Sequence, residues 1–87
     1  MPPDLKALLE QKSAWQRQHD FRALLKRLCE CRALTAEELT LLTDRQKAYL
    51  VRKHLTPMIE AQQLEYTIPS MPRHPNQAYR TKPAEEP

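Results

Sequence analysis

No glycine occurs in the 87 residues of this chain, while eight are proline. Average usage would supply about six glycines at this length. Glycine enters positive φ without steric cost, so any helix end or turn that needs that conformation must place another residue there. Phosphate loops of the Rossmann, P-loop and kinase types need glycine where backbone approaches phosphate, and all three are excluded. The length allows one domain that buries only about 60–65% of its unfolded surface. That leaves little room for an enzyme.

The longest apolar run, Ala48 to Val51, has four residues, against the roughly 20 that a membrane-crossing helix needs. The expectation is a soluble, cytoplasmic protein with no membrane partner. Cys29 and Cys31 stand at i, i+2 in a helical pattern, which points them to different faces and argues against a mutual disulfide. With His19, His54 and His74 they lack the ligand spacing of a zinc site. No metal and no cofactor is expected, and Cys29 reads as a half-buried structural residue.

Pro2, Pro3 and Asp4 open a helical pattern continued by Leu5, Leu8, Leu9 and Lys12, and this helix ends near Ser13 to Gln18. Asp20 is placed to cap a second helix, with Phe21, Leu24, Leu25 and Leu28 as its inward stripe. Thr35 precedes Glu38 by three residues, and Thr43 precedes Gln46 likewise. Two capping boxes therefore mark two further helix starts. The first of these helices is about two turns long, with Leu39 and Leu42 inward. The second runs from about Arg45 toward Gln62. A short helix, a tight turn at Leu42 to Asp44 and another helix form a helix-turn-helix outline. Pro57 predicts a kink, or a restart with Thr56 as cap.

After Gln63 the period changes to alternation. Leu64, Tyr66 and Ile68 predict a half-exposed strand, and Gln77 to Thr81 a second one. Between them Pro69, Pro72 and Pro75 stiffen a basic loop. The expected fold is mainly α with a small β-hairpin, a winged helix-turn-helix preceded by an extra N-terminal helix. Its divisions are a helix and linker (1–18), the winged helix-turn-helix (19–81) and a disordered acidic tail (82–87).

Several of these stretches resemble a known family: Leu55-Thr56-Pro57-Met58-Ile59-Glu60-Ala61, Leu64-Glu65-Tyr66-Thr67-Ile68-Pro69, and Pro72-Arg73-His74-Pro75-Asn76-Gln77-Ala78-Tyr79-Arg80-Thr81. They are similar to the C-terminal winged helix-turn-helix domain of bacterial proteins described as RecG-like helicases or Schlafen-type divergent AAA ATP-binding regulators. The resemblance spans roughly residues 20–81 and is most specific in the wing. It implies a DNA-binding or regulatory module commonly joined to an N-terminal ATP-binding or nucleic-acid-binding domain, from which this chain would be an excised piece. Where that family has glycine between recognition helix and wing, this chain has Gln62 or Gln63.

The formal net charge of +3 is unevenly distributed. Residues 1–44 balance seven basic against seven acidic residues. Residues 45–82 hold Arg45, Lys47, Arg52, Lys53, Arg73, Arg80 and Lys82 against Glu60 and Glu65. Cations concentrated on recognition helix and wing suit double-stranded DNA, because each releases condensed counterions from phosphate. Arg45, Gln46, Lys47 and Tyr49 occupy the expected first turn, with Arg52 and Lys53 one turn later. Gln46 suits adenine, and Arg45 or Lys47 guanine. Gln46 equally suits completion of the capping box with Thr43. Tyr49 divides between a phosphate contact and packing, with packing favoured, and Thr35 is a cap first and a phosphate contact second.

At the wing tip Arg73 and His74 reach minor groove or backbone, while Asn76 and Gln77 brace the loop. Tyr79 packs on the core, and Arg80 and Lys82 face phosphate. Glu37 and Glu38 diverge, and no catalytic constellation is present, so the chain is not expected to be an enzyme. The favoured reading is a DNA-binding module for transcriptional regulation, or for targeting a larger ATP-binding protein to DNA. The alternative is a protein-interaction or dimerisation module, in which Leu5, Leu8, Leu9 and Trp15 dock on a partner domain or a second copy rather than cover their own core.

Overall fold

The computed structural model describes residues 2–82. The acidic residues of the expected tail, Glu85 and Glu86, lie outside the described residues.

Helix α1 (Pro3–Glu10) starts on proline, whose fixed φ suits the first helical position and whose missing N–H would have no partner there anyway. Leu5 is buried, with Leu8 and Leu9 half-buried beside it. A 3₁₀ turn (Lys12–Trp15) then folds Trp15 back under the helix, and its indole N–H donates to the Leu8 carbonyl at 2.8 Å. Trp15 is thus fully buried and stacked on Phe21, with centroids 5.6 Å apart. Leu5 and Trp15 belong to the same core cluster as the rest of the chain.

Helix α2 (Gln18–Cys31) buries Phe21, Leu24, Leu25, Leu28 and Cys29 on one stripe. Its N-cap is Arg17, not Asp20, which lies inside the first turn. There a carboxylate acts through the helix dipole rather than as a cap. Both cysteines are free thiols. Cys29 is buried rather than half-buried, and burial pushes its thiol up to about 12.

Leu34 exchanges two backbone hydrogen bonds with Tyr79, at 3.0 and 2.7 Å, which adds a one-residue third strand to the sheet. Helix α3 (Ala36–Thr43) follows with the expected capping box. The Thr35 hydroxyl accepts from the Glu38 amide at 3.2 Å, and the Glu38 carboxylate accepts from the Thr35 amide at 3.0 Å. The second expected box does not form. Thr43 ends α3 instead of preceding α4, is fully buried, and donates its hydroxyl to the Leu39 carbonyl at 2.7 Å. The chain turns at Asp44, whose φ is 57°.

Helix α4 occupies residues 47–60 in three joined segments, α over Lys47–Leu50, π over Val51–Leu55 and α over Thr56–Glu60. It begins after Gln46, two residues later than the pattern suggested, and the Gln46 side chain makes no cap. Pro57 neither restarts the helix nor makes Thr56 a cap. Thr56 is helical and its amide donates to the Val51 carbonyl, five residues back. The wider π turn takes up the space a proline ring needs against the carbonyl four residues earlier. That carbonyl, on Lys53, has lost its helical donor and accepts from Arg22 of α2 at 2.8 Å.

The end of α4 shows how the chain manages without glycine. Gln62 takes φ 62° and donates to the Ile59 carbonyl at 3.0 Å, while Gln63 donates to Met58 at 2.9 Å. These two bonds form a Schellman cap, which favours glycine at the position of Gln62.

Strands β1 (Leu64–Tyr66) and β2 (Tyr79–Thr81) pair antiparallel, with Glu65 opposite Arg80. Both are shorter than expected, although a bond from the Thr67 amide to the Ala78 carbonyl extends the pairing at 3.0 Å. The Thr81 hydroxyl donates to the Lys26 carbonyl, which ties the hairpin to α2. Mainly helical, with one antiparallel hairpin, the chain has the element order of a winged helix-turn-helix: α2, Leu34, α3, α4, β1, loop, β2.

A left-handed conformation costs a residue with a β-carbon roughly 1–2 kcal/mol, partly offset by the greater unfolded-state entropy of glycine. Gln62→Gly is expected to stabilise the chain by about 0.5–1 kcal/mol, raising the thermal midpoint by a few degrees in a circular dichroism melt.

Candidate nucleic-acid interface

Helix α4 presents two faces. Leu50, His54, Leu55 and Met58 point into the core, while Lys47, Ala48, Tyr49, Arg52, Lys53 and Glu60 are exposed. Beside it, Lys47 and Val51 meet Ala36, Glu37, Arg73, His74 and Tyr79 across a cleft of about 320 Å³ that separates α4 from the wing loop.

The wing loop is held from within by Gln77, which is buried. Its amide NH₂ donates to the carbonyls of Ile68 at 2.7 Å and Met71 at 3.1 Å, and its amide oxygen accepts from the Ile68 N–H at 2.9 Å. The bracing role expected of Gln77 is therefore present. Asn76 contributes through its backbone, donating to His74 Nδ1 at 3.0 Å. Arg73 is exposed at the tip and His74 is half-buried.

The seven cations of residues 45–82 divide into distinct environments. Lys47 donates to Glu37 at 2.7 Å, and that bond holds the Glu37 carboxyl below its ordinary range. Arg80 donates to Glu65 at 2.6 Å, and Lys82 to the neutral Gln62 side chain at 3.0 Å. Arg45 lies in the turn before α4, not in the helix's first turn. Its guanidinium sits over Trp15 and Phe21, 5.2 and 5.3 Å from their centroids, which differs from a side chain free to reach guanine. Arg52, Lys53 and Arg73 are exposed and make no ion pair among the described residues. Gln46 is exposed, and with no capping bond its side chain is uncommitted. Tyr49 is 44% exposed and touches the edge of His54, centroids 5.5 Å apart, so the packing favoured for it is partial. Thr35 is the N-cap of α3, as expected. Tyr79 is buried as expected.

Sequence reasoning missed the pair under this surface. The sequence suggests His54 only as a metal ligand, yet it is 3% exposed, packed edge-to-face with Phe21 with centroids 4.7 Å apart. Its Nδ1 accepts from Arg22 Nε at 3.3 Å. Burial, then the positive charges of Arg22, Lys53 and Arg45, push its pKa down to about 4, so it is neutral at pH 7. Pro57 was the only available signal for Arg22, since it announces a carbonyl needing an outside donor without saying which residue supplies one. Among the described residues no group of three or more His, Cys, Asp or Glu is placed to hold a metal. No helix there is long and apolar enough to cross a membrane.

No protein-family model and no curated protein sequence matches the chain. A solved structure of a Fic family protein from Desulfovibrio desulfuricans G20 is similar, with a TM-score of 0.54 and 25% identity over 63% of this chain. The chain spans 17% of the length of that protein.

Because His54 binds a proton less readily when folded than when unfolded, the unfolded state holds more protons between pH 6.5 and about 4, and stability falls as pH drops through that window. Urea midpoints measured from pH 7 to 4 are expected to decline. In His54→Gln the part of that slope due to His54 should vanish, and an unchanged slope would contradict a buried neutral imidazole.

Proposed function

We propose that the chain is a DNA-binding winged-helix module that acts in the cytoplasm. In this reading it contacts double-stranded DNA through α4 and the wing and serves transcriptional regulation, or directs a larger ATP-binding protein to DNA. The observation that carries the reading is the set of cations left uncompensated. Two of the seven in residues 45–82 are spent on Glu37 and Glu65, whereas Arg52, Lys53 and Arg73 stand exposed on the helix and loop that a winged helix turns toward a duplex. Gln46 and Tyr49 share the exposed side of α4 and suit base-edge and phosphate contacts. Lys47 and Arg80 take part only if phosphate replaces their carboxylates, an exchange between exposed partners that costs little. The rigid wing loop, braced by Gln77, would lose little conformational entropy on binding.

The resemblance to the winged domains of RecG-like and Schlafen-type proteins supports the same direction. The similarity to the Fic family protein supports a shared fold over part of the chain, and no activity is carried over from it. A second reading, a protein-docking module or homodimer, is favoured by Leu41, which is 84% exposed on α3. It no longer draws on Trp15, which is fully buried.

Fluorescence anisotropy with a labelled duplex tests the proposal. Three phosphate contacts predict a logarithmic salt slope near −2.7, which weakens binding roughly 40-fold between 50 and 200 mM salt. Arg52→Ala and Lys53→Ala should each reduce the slope by about 0.9. Affinity indifferent to both salt and these substitutions would reject DNA binding, and a dimer by light scattering that Leu41→Lys dissolves would favour the second reading.

A further inference from the structure

Behind Tyr49 lies a recess of about 100 Å³, lined by Gln16, Gln18, Phe21, Arg45, Tyr49 and His54. No carboxylate lines it. The Arg45 guanidinium lies over two aromatic rings, a contact that uses its π face and leaves its N–H donors directed in the plane. Since His54 is neutral and its Nδ1 accepts from Arg22, the ring proton resides on Nε2. Nε2 makes no hydrogen bond among the described residues, and it is not fully enclosed, since the one enclosed side-chain polar atom without a partner is Thr40 Oγ1. His54 lines this recess. Helix α2, fourteen residues long, also begins at this recess with Gln18, and Arg17 gives it no side-chain cap.

Three cations surround His54: Arg22 from α2, Lys53 from α4 and Arg45 from the turn. An unpartnered ring donor, a positioned guanidinium and two amide side chains converge in a recess that no carboxylate lines, with the N-terminus of α2 beside it and Asp20 the one acidic residue in that helix's first turn. We propose that this recess binds one phosphoryl group, with Arg45 supplying charge and the unpartnered Nε2–H of His54 a donor. At about 100 Å³ the recess has room for a single tetrahedral oxyanion. Where that group is a phosphodiester of the duplex, the inference rests on the DNA-binding reading above; inorganic phosphate would bind without it.

The test is nuclear magnetic resonance on the full chain, titrated with inorganic phosphate against chloride at equal ionic strength. Saturable shifts of His54 Nε2 and the Trp15 indole are expected, and bound phosphate should raise the His54 pKa from about 4. Arg45→Ala should weaken phosphate at least about 10-fold, as loss of a charge-assisted bond implies. Gln18→Glu, which places a carboxylate in the recess at a helix position that favours one, should do the same in a chain that still folds. Labelled duplex then separates the sources. If duplex displaces phosphate and Gln18→Glu lowers duplex affinity at constant salt, the recess anchors a DNA backbone phosphate. If phosphate binds and no duplex does, the recess stands as a site for free phosphate and the DNA-binding reading fails. Phosphate shifts no larger than those of chloride, or shifts that survive Gln18→Glu, would overturn the proposal whether or not duplex binds elsewhere.

Discussion

The guanidinium of Arg22 holds the two long helices in one arrangement. One end donates to the Lys53 carbonyl and the other to His54 Nδ1, so a single α2 side chain satisfies a carbonyl that Pro57 has orphaned and an imidazole that burial has neutralised. The bond to the Lys53 carbonyl is solvent-exposed, so its net worth is about 0.5–1.5 kcal/mol. A proline in mid-helix is therefore tolerable here because a donor waits on the neighbouring helix. The π turn follows from the same constraint, since it is the local widening that admits the proline ring. With the turn come the positions of Arg52, Lys53 and His54, all of which lie within it. The exposed cations and the buried histidine are thus set by one proline and one arginine 35 residues apart in sequence.

Much of this fold is legible residue by residue. Thr35 and Glu38 announce a helix start because both halves of the capping box are local. The stripe of Phe21, Leu24, Leu25 and Leu28 announces a buried face because helical spacing is local too. Thr43 and Gln46 carry the same spacing yet form no box, because Leu39 offers the Thr43 hydroxyl a buried carbonyl inside α3, and a residue that ends one helix cannot cap the next. Leu34 could not be read as a strand at all, since one residue has no period. It becomes one through Tyr79, 45 positions later. The site was legible as charge and illegible as pairing: seven cations can be counted in the sequence, but which of them meet Glu37, Glu65 or an aromatic ring depends on packing.

The absence of glycine has a traceable structural effect. Among the described residues two left-handed positions remain, at Asp44 between α3 and α4 and at Gln62 between α4 and β1. Aspartate tolerates this conformation better than most residues. Glutamine has no such ease, but its side chain accepts a bond from Lys82, so the strained junction is also a tie between α4's end and the strand leaving the wing. Both ends of α4 are fixed by residues with something to bond.

The N-terminal segment acquires a role from Arg45. Without Trp15 the guanidinium would keep Phe21 and lose half of its aromatic floor, and Trp15 is held by core burial, by stacking on Phe21 and by the bond of its indole to Leu8 of α1. An arginine in a helix-turn-helix turn is ordinarily a solvated cation with many rotamers. Here its stacking on two rings restricts it beside the N-terminus of α2 and His54, so α1 and the 3₁₀ turn act on the surroundings of α4 through Arg45. The pre-ordering matters energetically, because a guanidinium already fixed in place gives up less entropy to an anion than a free one. Deleting the first helix would for that reason alter electrostatics at α4 as well as core packing.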